Sequence, residues 1–263
     1  MGSHGSSGHL RLTFRAGFAL FYDGGRSRTV AIGAATVRVF HQLSLARATI
    51  HEQSEQLKAA ASQHLPAEVL DVFDRSIQDF LDEGIPAESI KAGDALSQFT
   101  LNDANRTPTS LNQLVEHGPA VIVFYRGGWC PYCNLALRTY QHELLPQLNR
   151  FGARLVAISP QTPDESLSTA ERAALEFTVL SDPGARLADH IGIAFEQADD
   201  VLAAQRELGL DLAKVNAEGA VRLPRPTVLI VDQNRIVRFV DVQPDYTART
   251  EAADIVAALT DLT

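Results

Sequence analysis

The sequence predicts an α/β protein: a mixed central sheet flanked by helices and preceded by a helical N-terminal arm. Three observations carry that expectation. Ala120 to Tyr125 (Ala-Val-Ile-Val-Phe-Tyr) is an uninterrupted apolar run closed off by Gly127-Gly128, the pattern of a strand buried on both faces. Beyond Gly93, strand-like and helix-like segments alternate and end in a hairpin and a helix, the order expected of a layered α/β domain. Ahead of that region, Val69, Leu70, Phe73, Ile77, Phe80 and Leu81 recur at helical spacing between Pro66 and Gly84.

The arm therefore reads as a polar helix over Glu52 to His64, then an amphipathic one ending at Gly84, with Ile85-Pro86 as a break. Its apolar stripe has to lie on the following domain or on a partner subunit. Phe99-Thr100-Leu101 reads as a strand, Asn102 to Arg106 as a turn and Ser110 to His117 as one or two helical turns. A helix is expected from Cys130, with Pro131 in its first turn and Leu137, Tyr140, Leu144, Leu148 and Phe151 as its buried stripe; Pro146 should kink it. Arg154 to Ser159 and Phe177 to Leu180 read as strands, and Glu165 to Leu175, Ala185 to His190 and Glu196 to Leu208 as helices. Thr227 to Val231 and Ile236 to Val240 form a hairpin across Asp232 to Arg235, and Thr250 to Leu262 a closing helix.

The 263 residues suffice for a large core without disulfide staples, and 45% apolar with 21% charged residues is ordinary globular usage. The net charge of −9 argues against nucleic acid, and no apolar run approaches the roughly 20 residues of a spanning helix. Charge is uneven, however. Residues 1–50 hold Arg11, Arg15, Arg26, Arg28, Arg38 and Arg47 against Asp23 alone, and the first ten have linker-like composition. This extension is expected to be disordered or non-native. An over-extended start, a cloned leader, a functionless tail and an organellar transit peptide all fit its acid-poor, Arg- and Ser-containing texture.

The only cysteines are Cys130 and Cys133. They stand in Phe124-Tyr-Arg-Gly-Gly-Trp-Cys-Pro-Tyr-Cys133, a dithiol at a strand-to-helix junction. Free backbone N–H groups and the positive end of a helix favour thiolate there, and most strongly at Cys130, so Cys130 is expected to have the lower pKa. The second thiol, one turn along, is placed to condense with an oxidised first one. Zinc would need further ligands at short spacing, and His117, His142 and His190 are scattered; inert structural cysteines fit poorly with Gly-Gly-Trp and Pro around them.

With this block in place, the chain from about His51 onward resembles the peroxiredoxin-like proteins of the alkyl hydroperoxide reductase/thiol-specific antioxidant group, within the thioredoxin-like superfamily. The resemblance rests on Tyr125 to Cys133, Val156-Ala-Ile-Ser-Pro-Gln-Thr-Pro163, Val179-Leu-Ser-Asp-Pro183, Pro226-Thr-Val-Leu-Ile-Val-Asp232 and Pro244-Asp-Tyr-Thr247, in the family's order. It implies a thioredoxin-like domain over residues 89–263, fronted by an arm at 51–88. It departs from better-known members, which carry Thr or Ser where Gly127 stands, Pro where Val123 stands, often Glu at Cys133, and Arg where Pro226 follows Arg225.

The resemblance further implies a thiol peroxidase: Cys130 attacks hydrogen peroxide or an organic hydroperoxide, Cys133 resolves the sulfenic acid as a disulfide, and thioredoxin, glutaredoxin or glutathione restores the dithiol. Arg126 is the candidate for stabilising the departing oxygen, with Arg225 a second one. Trp129 is expected to pack over the dithiol. Pro226 looks like a thioredoxin-type cis-proline facing it. No cofactor or metal is expected, the setting is read as cytoplasmic, and a homodimer is allowed. A dithiol-disulfide oxidoreductase and a non-enzymatic redox sensor are the alternative readings.

Overall fold

The computed structural model describes residues 48–262 together with the backbone of three short strands, β1 (Thr13–Arg15), β2 (Phe18–Asp23) and β3 (Arg26–Ala31), paired as an antiparallel meander; the side chains of those strands and of residues 164, 167 and 171–173 lie outside the description. The rest of the extension expected at 1–50 falls outside the described residues. Helix α1 (Ile50–His64) opens with a capping box: Thr49 Oγ1 accepts from Glu52 N–H, and the Glu52 carboxylate accepts from Thr49 N–H. Helix α2 (Ala67–Glu83) follows Pro66 and stops at Gly84, whose φ of 71° suits a residue without a side chain.

The main domain runs β4 (Thr100–Asp103), β5 (Pro108–Ser110), α3 (Leu111–Val115), β6 (Ala120–Phe124), α4 (Pro131–Thr139), β7 (Arg154–Ser159), α5 (Pro163–Ala173), β8 (Thr178–Ser181) and α6 (Arg186–His190). It continues through β9 (Ala194–Glu196), α7 (Asp199–Glu207), α8 (Leu212–Val215), β10 (Arg222–Pro224), β11 (Thr227–Val231), β12 (Val237–Val242) and α9 (Ala252–Thr260). Seven strands form one mixed sheet in the order β12-β11-β6-β7-β8-β4-β5, parallel across β6-β7-β8 and antiparallel elsewhere. This is the mixed α/β sheet flanked by helices that the sequence predicts.

β6 lies between β11 and β7, which explains its unbroken apolar run. Alternation along it feeds two cores. Val121, Val123 and Tyr125 face α4, α9 and Ile50 of α1, while Ala120, Ile122 and Phe124 face α3 and α6. The kink expected at Pro146 takes the form of a π-helical turn over Tyr140–Leu144 ahead of it, where Leu145 N–H reaches the Tyr140 carbonyl. The helix expected from Glu196 begins only at Asp199, because Ala194–Glu196 pairs instead with Arg222–Pro224 in a two-stranded ribbon too short to show a period.

The arm lies on its own domain. α1 packs against α4 and α2 against α7. Phe80 meets Phe195 edge-on with ring centroids 4.5 Å apart, and Arg225 pairs with Glu83 at 2.7 Å. Among the described residues no helix is long and apolar enough to cross a membrane.

Candidate active site

The end of β6 delivers Tyr125 to Cys130 as a tight loop. Gly127 sits at φ 148°, and a Cβ there would lie 2.3 Å from Trp129 Nε1; at Gly128 a Cβ would lie 2.0 Å from Thr169 Oγ1. Both glycines are therefore required by space, and the first also by backbone conformation. The loop is tied down on each side: Gly128 N–H donates to Gln161 Oε1 (2.7 Å), and Asn134 Nδ2 donates to the Gly128 carbonyl (2.7 Å). Cys130 becomes the extended N-cap of α4, and Cys133 lies in its first turn. Both are free thiols, 1% and 0% exposed.

Arg249, on the segment between β12 and α9, places Nη2 3.0 Å from Cys133 Sγ and 3.9 Å from Cys130 Sγ. Its other amino group donates to the Tyr246 and Ala248 carbonyls, and the turn carrying it is held by Asp245, which accepts from both Thr247 N–H and Thr247 Oγ1 at 2.7 Å. Arg126 is buried between two rings, 4.2 Å from the Tyr246 centroid and 5.0 Å from that of Trp129. Its Nη2 donates to Gln197 Oε1 (3.0 Å), while its Nε has no hydrogen-bond partner among the described residues.

These charges order the two thiols. Burial opposes ionisation of Cys133, but the hydrogen bond from Cys130, the Arg249 guanidinium, and the backbone N–H and guanidinium of Arg126 together hold it well below the usual thiol range. Cys130 is pushed well above that range by burial and then by its hydrogen bond to, and the charge on, Cys133; Arg126 and Arg249 only soften the effect. The expectation that Cys130 has the lower pKa is thus corrected. The helix terminus is outweighed by a guanidinium brought from more than a hundred residues away. Burial lifts the Tyr246 hydroxyl to about 12 and raises that of Tyr132 as well, so both rings stay neutral beside Cys130.

The structure brings Cys130, Cys133 and Arg126 together, and the Trp129 ring, under the Arg126 guanidinium, packs against the core cluster that contains both cysteines. It does not bring Arg225 to the sulfurs. That guanidinium is engaged with Glu83 and lies 5.2 and 5.6 Å from the Phe80 and Phe195 centroids, so it clamps the arm. Nor is the Arg225–Pro226 peptide cis: the described residues contain no cis bond. Arg225 N–H bonds to the Ile193 carbonyl, and the Pro226 carbonyl accepts from Gln243 N–H, so the chain runs extended from β10 into β11. Arg249 is the residue that sequence reasoning missed, and its only signal was its place two residues after the Pro244-to-Thr247 block.

A family profile described as the AhpC/TSA family matches residues 92–240. A protein of Mycobacterium tuberculosis strain H37Rv, named as a peroxiredoxin, is 28% identical over 104 residues, which cover 40% of this chain and 67% of that protein. Chloroplastic peroxiredoxin Q of Populus jackii is 28% identical over the same length, covering 40% of this chain and 48% of that one. Among solved structures, the peroxidoxin BcpB of Mycobacterium tuberculosis superimposes with a TM-score of 0.52 at 22% identity, over 66% of this chain and 99% of that one. A peroxiredoxin-like protein of Aquifex aeolicus gives 0.53 at 15% identity, over 66% and 89%. The chain belongs to the AhpC/TSA family of thioredoxin-like proteins and is a thiol peroxidase of the peroxiredoxin type.

Proposed function

We propose that the peroxidase cycle runs on Cys130 and Cys133 as a dithiol/disulfide pair. The observation that carries this is the Arg249 guanidinium, 3.0 Å from one sulfur and 3.9 Å from the other. It stabilises one negative charge shared by two hydrogen-bonded thiols. Cys130 lies toward Tyr132 and Tyr246, which are partly exposed, while Cys133 lies toward buried Tyr125, so peroxide meets Cys130 first.

The proton on Cys130 passes to the Cys133 thiolate, and the Cys130 thiolate attacks the peroxide. The O–O bond breaks, Cys130 becomes a sulfenic acid, and the departing oxygen takes the proton back from Cys133. The regenerated Cys133 thiolate then displaces hydroxide from the sulfenic acid and forms the disulfide. Arg126, a buried cation with no carboxylate partner among the described residues, stabilises the departing oxygen. Trp129 covers the pair. A thioredoxin-type reductant, thioredoxin, glutaredoxin or glutathione, returns two electrons, and two cysteines in so long a chain suit a reducing compartment such as the cytoplasm.

The burial of both sulfurs weighs against a general oxidoreductase for folded protein disulfides. Trapping with a dimedone-type reagent tests the order of events. Cys133→Ser should consume one equivalent of peroxide and carry the adduct on Cys130, and Cys130→Ser should carry none. An adduct on Cys133 alone would reverse the two roles.

A further inference from the structure

Part of the core cluster that holds the dithiol lies outside the matched family region. Ile50, 0% exposed, packs in the same core cluster as Cys130 and Cys133, and the helix it begins lies on α4. What seats α1 is mainly polar. Its only other buried residues are Gln53 and Ser54, and the Ser54 hydroxyl has no partner among the described residues. The helix is held at its start by Glu251, whose two carboxylate oxygens accept from Ile50 N–H (3.0 Å) and His51 N–H (2.9 Å), and farther along by the Lys58–Asp245 ion pair at 3.6 Å. A helix docked through so little apolar surface belongs to the low-stability end of a fold.

We propose that α1 is a redox-latched lid, closed over the reduced dithiol and released when the Cys130–Cys133 disulfide forms. The proposal rests on the dithiol cycle described above. Glu251 follows Arg249 by two residues, and both lie within charge range of the Tyr140 hydroxyl. In that cycle the one negative charge of the reduced pair is the anion against Arg249, whose Nη2 lies 3.0 Å from Cys133 Sγ and 3.9 Å from Cys130 Sγ. Disulfide formation removes that anion, since the thiolate and the thiol together lose one proton and two electrons to the peroxide. Arg249 then draws on the Glu251 carboxylate, the two arm N–H groups lose their acceptor, and α1 lifts. The open state gives a thioredoxin-sized reductant its way to the disulfide.

Hydrogen exchange on the full chain tests this, with the reduced and disulfide forms compared and the disulfide confirmed by the loss of two hydrogens in the intact mass. The disulfide can also be made with a diamide-type oxidant, so the lid is tested whether or not peroxide forms the bond; failure with peroxide alone would count against the dithiol cycle and not against the lid. Amides 50–54 should exchange at least about tenfold faster in the oxidised protein, since two hydrogen bonds to a charged group are lost. In Glu251→Gln they should exchange fast in both states, with the redox difference gone. Equal exchange of the reduced and oxidised wild-type protein, or a redox difference that persists in Glu251→Gln, overturns the proposal.

Discussion

Replacing Arg249 by glutamine removes the cation that lies 3.0 Å from Cys133 Sγ and 3.9 Å from Cys130 Sγ. A hydrogen bond to a charged group contributes about 1.5–3 kcal/mol. The bare Coulomb energy at that separation, with an effective dielectric of about 20, is roughly 5 kcal/mol. Arg249 is only partly buried and glutamine leaves a polar group in place, so the smaller figure governs. Lost from the thiolate, it slows peroxide reaction by about 10- to 150-fold near neutral pH. Because Arg249 holds the shared charge at low pH, its removal moves the inflection of the pH–rate profile upward. The defect is therefore largest near and below neutrality and shrinks as alkali ionises the thiols. Trp129, the only tryptophan and the neighbour of Cys130, supplies a fluorescence signal for stopped-flow measurement. A variant that keeps its fold by circular dichroism and still reacts at the wild-type rate, with an unmoved inflection, refutes the assignment.

Arg126→Met, which removes the guanidinium but keeps much of its apolar contact with Trp129 and Tyr246, should slow the same reaction by roughly 100-fold with little change in melting temperature. Gly128→Ala should destabilise the protein by about 1–3 kcal/mol in calorimetry, because its Cβ would lie 2.0 Å from Thr169 Oγ1; adding Thr169→Ala should recover part of the loss. A chain beginning at residue 48 should keep its melting temperature and peroxide rate, since the Thr49 cap and the Ile50 seat are both retained. Loss of either would mean that the basic extension contributes to the domain.

The site was legible in the sequence as far as local chemistry reaches. The β6 run, the turn at Gly127-Gly128 and the helix starting at Cys130-Pro131 are each written in consecutive residues, and Arg126 and Trp129 come to the dithiol on the same loop. Arg249 could not be read because its place depends on the register of β11 with β12 and on the Asp245 turn, which are tertiary facts. The same cause reversed the order of the two thiols, which local reasoning assigned from the helix terminus alone. Arg225 and Pro226 misled for a related reason. Their neighbourhood suggested a role at the dithiol, but the arm supplies Glu83 and Phe80, and the ribbon partner of β10 holds the backbone extended. The stripe on α2 announced that it must pack on something, and that α7 is an element it meets was not in its periodicity.

A peroxidase cycle carried by Cys130 and Cys133 can be followed by mixing the reduced protein with hydrogen peroxide, recording Trp129 fluorescence and determining the product by intact mass, then adding a thioredoxin system and following NADPH. The expected result is reaction far faster than that of a free thiol, a product lacking two hydrogens with the bond mapped to Cys130 and Cys133, and steady NADPH consumption. A rate no greater than a free thiol's, or a single oxidation with no turnover, would contradict it.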